Sequence, residues 1–282
     1  MVCRTNGPDL RYPLRLIPTG DTHMGMMDGK RGLVVGIAND RSFAYSIAQS
    51  IIREGGECLF THLPGEKMER RCAKAIAALG VENPWLRPLD ASRDEHLDEI
   101  FDAIKTDFGS IDFLVHSIAF ADKDWLQAGK FASTPREVFN QAMDISAYTY
   151  AAMANRAAEV MPNGGSMVAM SYYGSEKAVP GYNVMGVAKA ALEATSRYLA
   201  LELGSRNIRV NVISGGPVRT MSSMAVGGFA EVLDWVEKKA PLQRNITGSD
   251  VGDAASWLLS SHSGGVTGQV LYVDSGYSIV GL

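Results

Sequence analysis

The sequence predicts an α/β fold: one doubly wound, Rossmann-type domain on a mostly parallel seven-stranded sheet, with helices on both faces. Three observations carry this. Short continuous apolar runs, of which Leu33-Val34-Val35-Gly36-Ile37 is the first, mark strands buried on both faces. Longer segments of helical period separate them, so the connections are βαβ crossovers and the strands run parallel. Apolar residues make up 46% of the 282-residue chain, enough for a sizeable core and too many for a disordered chain. Length alone allows two domains, yet no linker, repeat or low-complexity tract divides the chain after residue 30.

The elements follow in order. After the first strand, Ala44, Ile47, Ala48, Ile51 and Ile52 lie at helical spacing, and Gly55-Gly56 ends that helix. Cys58-Leu59-Phe60-Thr61 is a second strand, residues 66–79 a helix and 85–89 a third strand. Leu97, Ile100, Phe101, Ile104 and Phe108 form one face of a helix. Phe113-Leu114-Val115 is the fourth strand, 135–160 one long helix, and 166–170 the fifth strand. A helix over 182–203 precedes strand six, Ile208 to Ile213, and Val270-Leu271-Tyr272-Val273 is the seventh. Residues 1–25 show neither periodicity and contain Gly7-Pro8, Pro13 and Pro18; they are expected to be a flexible extension, not a secretory signal, with Met24, Met26 and Met27 as alternative starts. The folded domain is then 26–282.

Composition narrows the partners. With 27 Lys+Arg against 31 Asp+Glu the formal net charge is −4, and no basic block offers a footprint for nucleic acid or an anionic membrane. No apolar stretch is long enough to span a bilayer. Cys3, Cys58 and Cys72 have neither the number nor the spacing of a disulfide framework or a zinc site, and no metal is expected. A cytoplasmic protein fits this pattern.

In a doubly wound sheet, ligands bind at the carboxyl ends of the strands. There Gly36 closes the first strand and Ser42 opens the following helix, a strand–turn–helix that presents backbone N–H groups to a pyrophosphate. Only the first glycine of G-x-G-x-x-G is present, so a plain βα turn with a serine cap is the alternative. After strand two, Thr61-His62-Leu63-Pro64-Gly65-Glu66-Lys67 lacks the acid expected for ribose hydroxyls. His62 and Lys67 either meet a 2′-phosphate or face solvent, and the missing arginine tilts the reading to NADH, with NADPH as the alternative. Asp90-Ala91 and His116-Ser117-Ile118-Ala119 end strands three and four.

The densest chemistry is Ser171-Tyr172-Tyr173 followed by Tyr182-Asn183-Val184-Met185-Gly186-Val187-Ala188-Lys189. Seven residues on a helix are almost two turns, so Tyr182 and Lys189 share one face about 10 Å apart along the axis. A tyrosine hydroxyl can hydrogen-bond an enolate oxygen, and a lysine can hold a cofactor ribose and lower the tyrosine pKa. Tyr172 can add a second hydroxyl. The bland alternative is packing tyrosines beside a solvated lysine.

From about residue 29 to its end the chain resembles the bacterial enoyl-acyl-carrier-protein reductases, a branch of the short-chain dehydrogenase/reductase superfamily. The matching motifs are Gly36-x5-Ser42, His116-Ser117-Ile118-Ala119-Phe120-Ala121, Ser171-Tyr172, Tyr182-Asn183-Val184-Met185-Gly186-x-Ala188-Lys189, Arg209-Val210-Asn211, Gly216-Pro217-Val218-Arg219-Thr220 and Gly276-Tyr277-Ser278-Ile279. Most of the superfamily uses Tyr-x3-Lys; here Gly186 holds that lysine position and the lysine comes three residues later.

The resemblance implies NADH-dependent reduction of the trans-2 double bond of enoyl thioesters on acyl carrier protein, in type II fatty acid synthesis, by a homotetramer. It implies cofactor contacts from Gly36, Ser42, Phe43, Asp90, Ala91, Ser117, Ile118, Lys189, Val218 and Thr220. Substrate contacts would come from Ala121, Tyr172 and Tyr182, with Tyr172, Tyr182 and Lys189 as the catalytic set. Residues 221–240 begin with a small, flexible, Met-containing stretch suited to a lid over an acyl chain, or to a plain connection into a helix around 231–239. A 3-oxoacyl reductase and a catalytically silent nucleotide-binding protein are the competing readings.

Overall fold

The computed structural model describes residues 24–220 and 229–281. Seven strands form one parallel sheet in the order β3-β2-β1-β4-β5-β6-β7. They are β1 (Arg31–Val35), β2 (Glu57–His62), β3 (Leu86–Pro88), β4 (Phe113–His116), β5 (Gly165–Ser171), β6 (Ile208–Gly215) and β7 (Val270–Val273). Strand order reverses between β1 and β4, and the crevice opens there.

Side chains alternate across the sheet, so each strand feeds two cores. Leu33 and Val35 of β1 pack on one face with α3 (Asp94–Phe108), α5 (Thr149–Glu159) and α6 (Val184–Leu203). Val34 packs on the other with α1 (Phe43–Arg53), α2 (Glu66–Ala77) and α8 (Gly248–Leu259). Met27 is fully buried in this second core and Met26 N–H donates to the Glu54 carboxylate, so the folded unit already includes residues just inside the expected extension boundary. The expectation for residues 1–23 lies outside the described residues, as does the 221–228 part of the lid. The remainder of the stretch expected to form the lid holds α7 (Phe229–Lys239).

Three expectations need correction. The long helix over 135–160 is two helices, α4 (Arg136–Met143) and α5, joined by a π-turn at Asp144–Tyr148. The π-turn serves the site: Ser146 Oγ accepts from Phe120 N–H at 3.0 Å, and the helix resumes at Thr149 beneath His116. The helix expected from 182 begins at Val184, because Asn183 takes a left-handed backbone (φ 47) that ends regular structure ahead of it. Finally, α8 is an element that the apolar periodicity does not announce, although Thr247 and Asp250 form a capping box three residues apart at its start.

Candidate active site

The β1–α1 turn is built by one glycine and one serine. Gly36 has φ +109, and a Cβ there would lie 2.2 Å from the Ser117 carbonyl oxygen. Only glycine lets β1 and the loop after β4 converge this closely. Ser42 caps α1, its Oγ accepting from Tyr45 N–H at 3.3 Å. The serine is a cap, and the helix start it caps opens on the cavity.

That cavity, about 370 Å³, runs along the carboxyl ends of β1, β4, β5 and β6. The structure brings Gly36, Ser42, Phe43, Ser117, Ile118, Ala121, Tyr172, Tyr182, Lys189, Val218 and Thr220 onto its wall. Asp90 and Ala91 are not on it. They follow β3, further along the sheet, and the Asp90 carboxylate accepts from Ser92 Oγ at 2.7 Å, a bond that lowers its pKa. Val232 of α7 reaches the wall, so at least the helical part of the expected lid faces the site.

Lys189 is buried, 5% exposed, and its Nζ donates to the Met170 carbonyl at 2.7 Å. It is no solvated surface charge. Burial pushes its ammonium down to about 8, against the opposing pull of Glu193. Tyr182 belongs to the turn ahead of α6, not to the helix, so the helical-face argument for its pairing with Lys189 fails. Two contacts set it instead. Asn183 Nδ2 donates to the carbonyls of Trp125 and Gln127 at 2.6 and 2.7 Å, anchoring the turn in its left-handed backbone. The Tyr182 ring meets Tyr172 edge-on, centroids 5.0 Å apart at 76°. Burial, with Glu193 adding to it, pushes the Tyr182 phenol well above its ordinary range, and burial beside Tyr277 and Tyr182 does the same to Tyr172. Both therefore stand as O–H donors at neutral pH.

The unusual tyrosine–lysine spacing has a steric cause. A Cβ at Gly186 would lie 2.5 Å from the Gly174 carbonyl oxygen, and one at Gly174 would lie 2.4 Å from the Tyr182 ring. The turn after β5 lies flat on the first turn of α6, leaving no room for a lysine four residues after Tyr182. Three residues to which the sequence pattern assigns no role, Asn183, Gly174 and Glu193, also shape the site, as does the buried His116 at the end of β4. The left-handed Asn and the paired glycines carry no periodic signal. A Glu four residues after Lys189 on one helix was available as a clue. Thr149 Oγ1 donates to the Ile145 carbonyl, so His116 Nε2–H donates to Thr149 Oγ1 at 2.9 Å, and among the described residues its Nδ1 has no partner; burial and then Lys189 push its pKa down to about 3, so it is neutral.

The arrangement fits a dinucleotide: a capped helix start at one end, a glycine-tight turn, a buried cation and an apolar mouth. At the end of β2, His62 is buried with Nδ1 2.8 Å from the Leu63 carbonyl, whereas Leu63 and Lys67 are exposed.

Comparison with known proteins agrees. Residues 36–278 match the model of the enoyl-(acyl carrier protein) reductase family. A Rhizobium meliloti protein described as enoyl-acyl-carrier-protein reductase (NADH) 2 is 47% identical over 258 residues, spanning 92% of this chain and 95% of the relative. The crystal structure of the Anaplasma phagocytophilum reductase in complex with NAD aligns with a TM-score of 0.85 at 43% identity, covering 92% of this chain and 95% of that one. The Bacillus cereus reductase, solved with NADP+ and indole naphthyridinone, aligns with a TM-score of 0.89 at 44% identity over 92% of this chain and all (100%) of that one.

Proposed function

The chain belongs to the enoyl-(acyl carrier protein) reductase family, and from that premise we propose how its residues perform the reaction, NADH-dependent reduction of the trans-2 double bond of enoyl thioesters on acyl carrier protein. The observation that carries the assignment of roles is the convergence of Tyr172, Tyr182 and Lys189 on one cavity wall beside the capped start of α1.

The chemistry supplied by NADH when bound is hydride for the β-carbon of the enoyl thioester. Gly36, Ser42 and Phe43 would hold the pyrophosphate of the bound cofactor, and Asp90 and Ala91, beyond the cavity wall, would extend the contact toward β3. Ser117, Ile118, Val218 and Thr220 frame the nicotinamide end, where Lys189 binds the ribose. Tyr182, kept protonated by burial, donates to the thioester carbonyl oxygen as negative charge develops there. Tyr172 supports that ring and adds a second donor, and Ala121 lines the acyl side. Protonation of the α-carbon completes the reduction. α7, whose Val232 reaches the cavity wall, covers the acyl side, and the enzyme works in the cytoplasm as a homotetramer, which light scattering tests directly. Among the described residues no helix is long and apolar enough to cross a membrane.

The deciding experiment follows loss of reduced-nicotinamide absorbance with crotonyl-CoA or an enoyl-carrier-protein thioester. No turnover by folded protein with either nicotinamide would overturn the function; turnover of acetoacetyl but not crotonyl thioesters would establish the 3-oxoacyl reductase instead. Tyr182→Phe is expected to lower kcat about 100-fold, and Lys189→Ala to raise the KM for NADH about tenfold. Wild-type constants in both variants would remove the assigned roles.

A further inference from the structure

The chemistry proposed for the site makes no use of Glu193, yet this carboxylate is only 6% exposed and lies within the protein beside the site. An apolar residue there would avoid the desolvation cost that a buried carboxylate carries. Its placement suggests what offsets that cost. Lys189 and Glu193 are one helical turn apart on α6, and both turn into the sheet. Lys189 Nζ donates to the carbonyl of Met170, and Glu193 accepts from Ser171 Oγ at 2.5 Å. Met170 and Ser171 are the last two residues of β5, directly ahead of Tyr172. Two consecutive rungs of the strand thus fix a cation and an anion on consecutive turns of the helix.

We infer that Glu193 is a positioning residue for Lys189: anchored to Ser171, its negative charge holds the lysine as an ammonium ion at the catalytic end of the sheet. The inference rests on the reading of Lys189 as the ribose-binding group. Neutral lysine has lost one of its donors and its attraction for a diphosphate dinucleotide, so the charge is the useful state. Burial alone works against it. Among the other groups around the lysine, His116 of β4 is neutral and adds no anion. Tyr182, from the turn before α6, is a protonated phenol. Tyr272 of β7 faces Glu193 and hydrogen-bonds Glu176, and is likewise protonated, its pKa raised by burial and Glu176. Among the described residues Glu193 is the anion that acts on Lys189, and it opposes the effect of burial there.

Two measurements test the inference, the first without cofactor. In protein carrying isotope-labelled lysine, with the signal assigned by its loss in Lys189→Arg, wild-type Lys189 is expected to titrate near pH 8, since burial brings it to about 8. Glu193→Gln is expected to move that midpoint lower by about one unit. In the steady-state assay the alkaline limb of kcat/KM for NADH is expected to move the same way. Ser171→Ala keeps the carboxylate and cuts its tether, and is expected to raise the KM for NADH about fivefold. An unchanged Lys189 midpoint in folded Glu193→Gln overturns the inference even if kcat falls. Where that variant does not fold, a wild-type Lys189 midpoint together with wild-type KM in Ser171→Ala overturns it. If the wild type itself turns over no enoyl thioester, the functional reading fails, and the cofactor-free titration still decides whether Glu193 governs the charge of Lys189.

Discussion

A lysine confined among apolar groups leaves a signature in stability as well as in catalysis. Lys189 has its pKa lowered from 10.5 to about 8 in the folded chain, chiefly by burial. Below pH 8 the charge is carried in both states and the folded state bears the cost. Between about 8 and 10.5 the unfolded chain binds the extra proton, so stability rises with pH. Burial raises the phenols of Tyr150, Tyr172 and Tyr182, so these side chains act in the opposite sense once the unfolded tyrosines begin to ionise near pH 10. The useful window is therefore pH 7 to 9.5. Urea unfolding across it is expected to show about 2 kcal/mol of added stability that Lys189→Ala lacks. Equal slopes for both proteins would mean that the lysine is not held in a desolvated site.

At the scale of elements, the first turn of α6 and the turn after β5 act as one unit. An exposed mid-helix glycine replaced by alanine normally gains about 1 kcal/mol. Gly186→Ala is expected to lose about 2 kcal/mol instead, because its methyl meets the Gly174 carbonyl. It is also expected to lower kcat through Tyr182; thermal unfolding and steady-state kinetics check the two effects. Gly186→Lys with Lys189→Ala, which restores the superfamily's commoner spacing, is expected not to recover activity for the same reason. How legible such a unit is depends on what the sequence encodes. Apolar runs report strands directly, because a strand buried on both faces has to be apolar; Val34 and Phe60 lie in one core and Leu33 and Leu59 in the other, as that pattern requires. Tyr172, Tyr182 and Lys189 were visible as residue types at a family spacing. Their geometry was not, since it depends on Asn183 at φ 47, on two glycines that touch across the chain, and on the π-turn that divides a seemingly continuous helix. None of these alters hydrophobic periodicity.

For the whole molecule, the doubly wound topology gathers chemistry from distant stretches of chain. Gly36, Ser117, Tyr172 and Thr220 meet in one cavity because parallel crossovers return every strand with its carboxyl end on the same side. The same packing draws the residues just ahead of β1 into the fold. Met27 fills the core beneath β1, and a Cβ at Gly25 would lie 2.1 Å from the Glu54 carbonyl oxygen, so the chain is packed against α1 from that point. A protein beginning at Met24 is expected to keep the melting temperature and kcat/KM of the full chain. One beginning after Met27 is expected to lose about 3 kcal/mol with that side chain. Calorimetry of the two truncations distinguishes a domain that starts here from one that needs the preceding residues.

Trp235 of α7 meets Tyr277 edge-on at 5.4 Å, and Tyr277 meets Tyr173 at the same separation. This stack joins the helix over the cavity to the turn that carries Tyr172, and it also makes the enzyme optically self-reporting. Indole emits where reduced nicotinamide absorbs, and Val232, one turn from Trp235, already touches the cavity. Cofactor binding is therefore expected to be readable in the protein's own fluorescence: titration with NADH is expected to lower the emission of Trp235, and Trp235→Phe is expected to remove that change from the background of the remaining tryptophans.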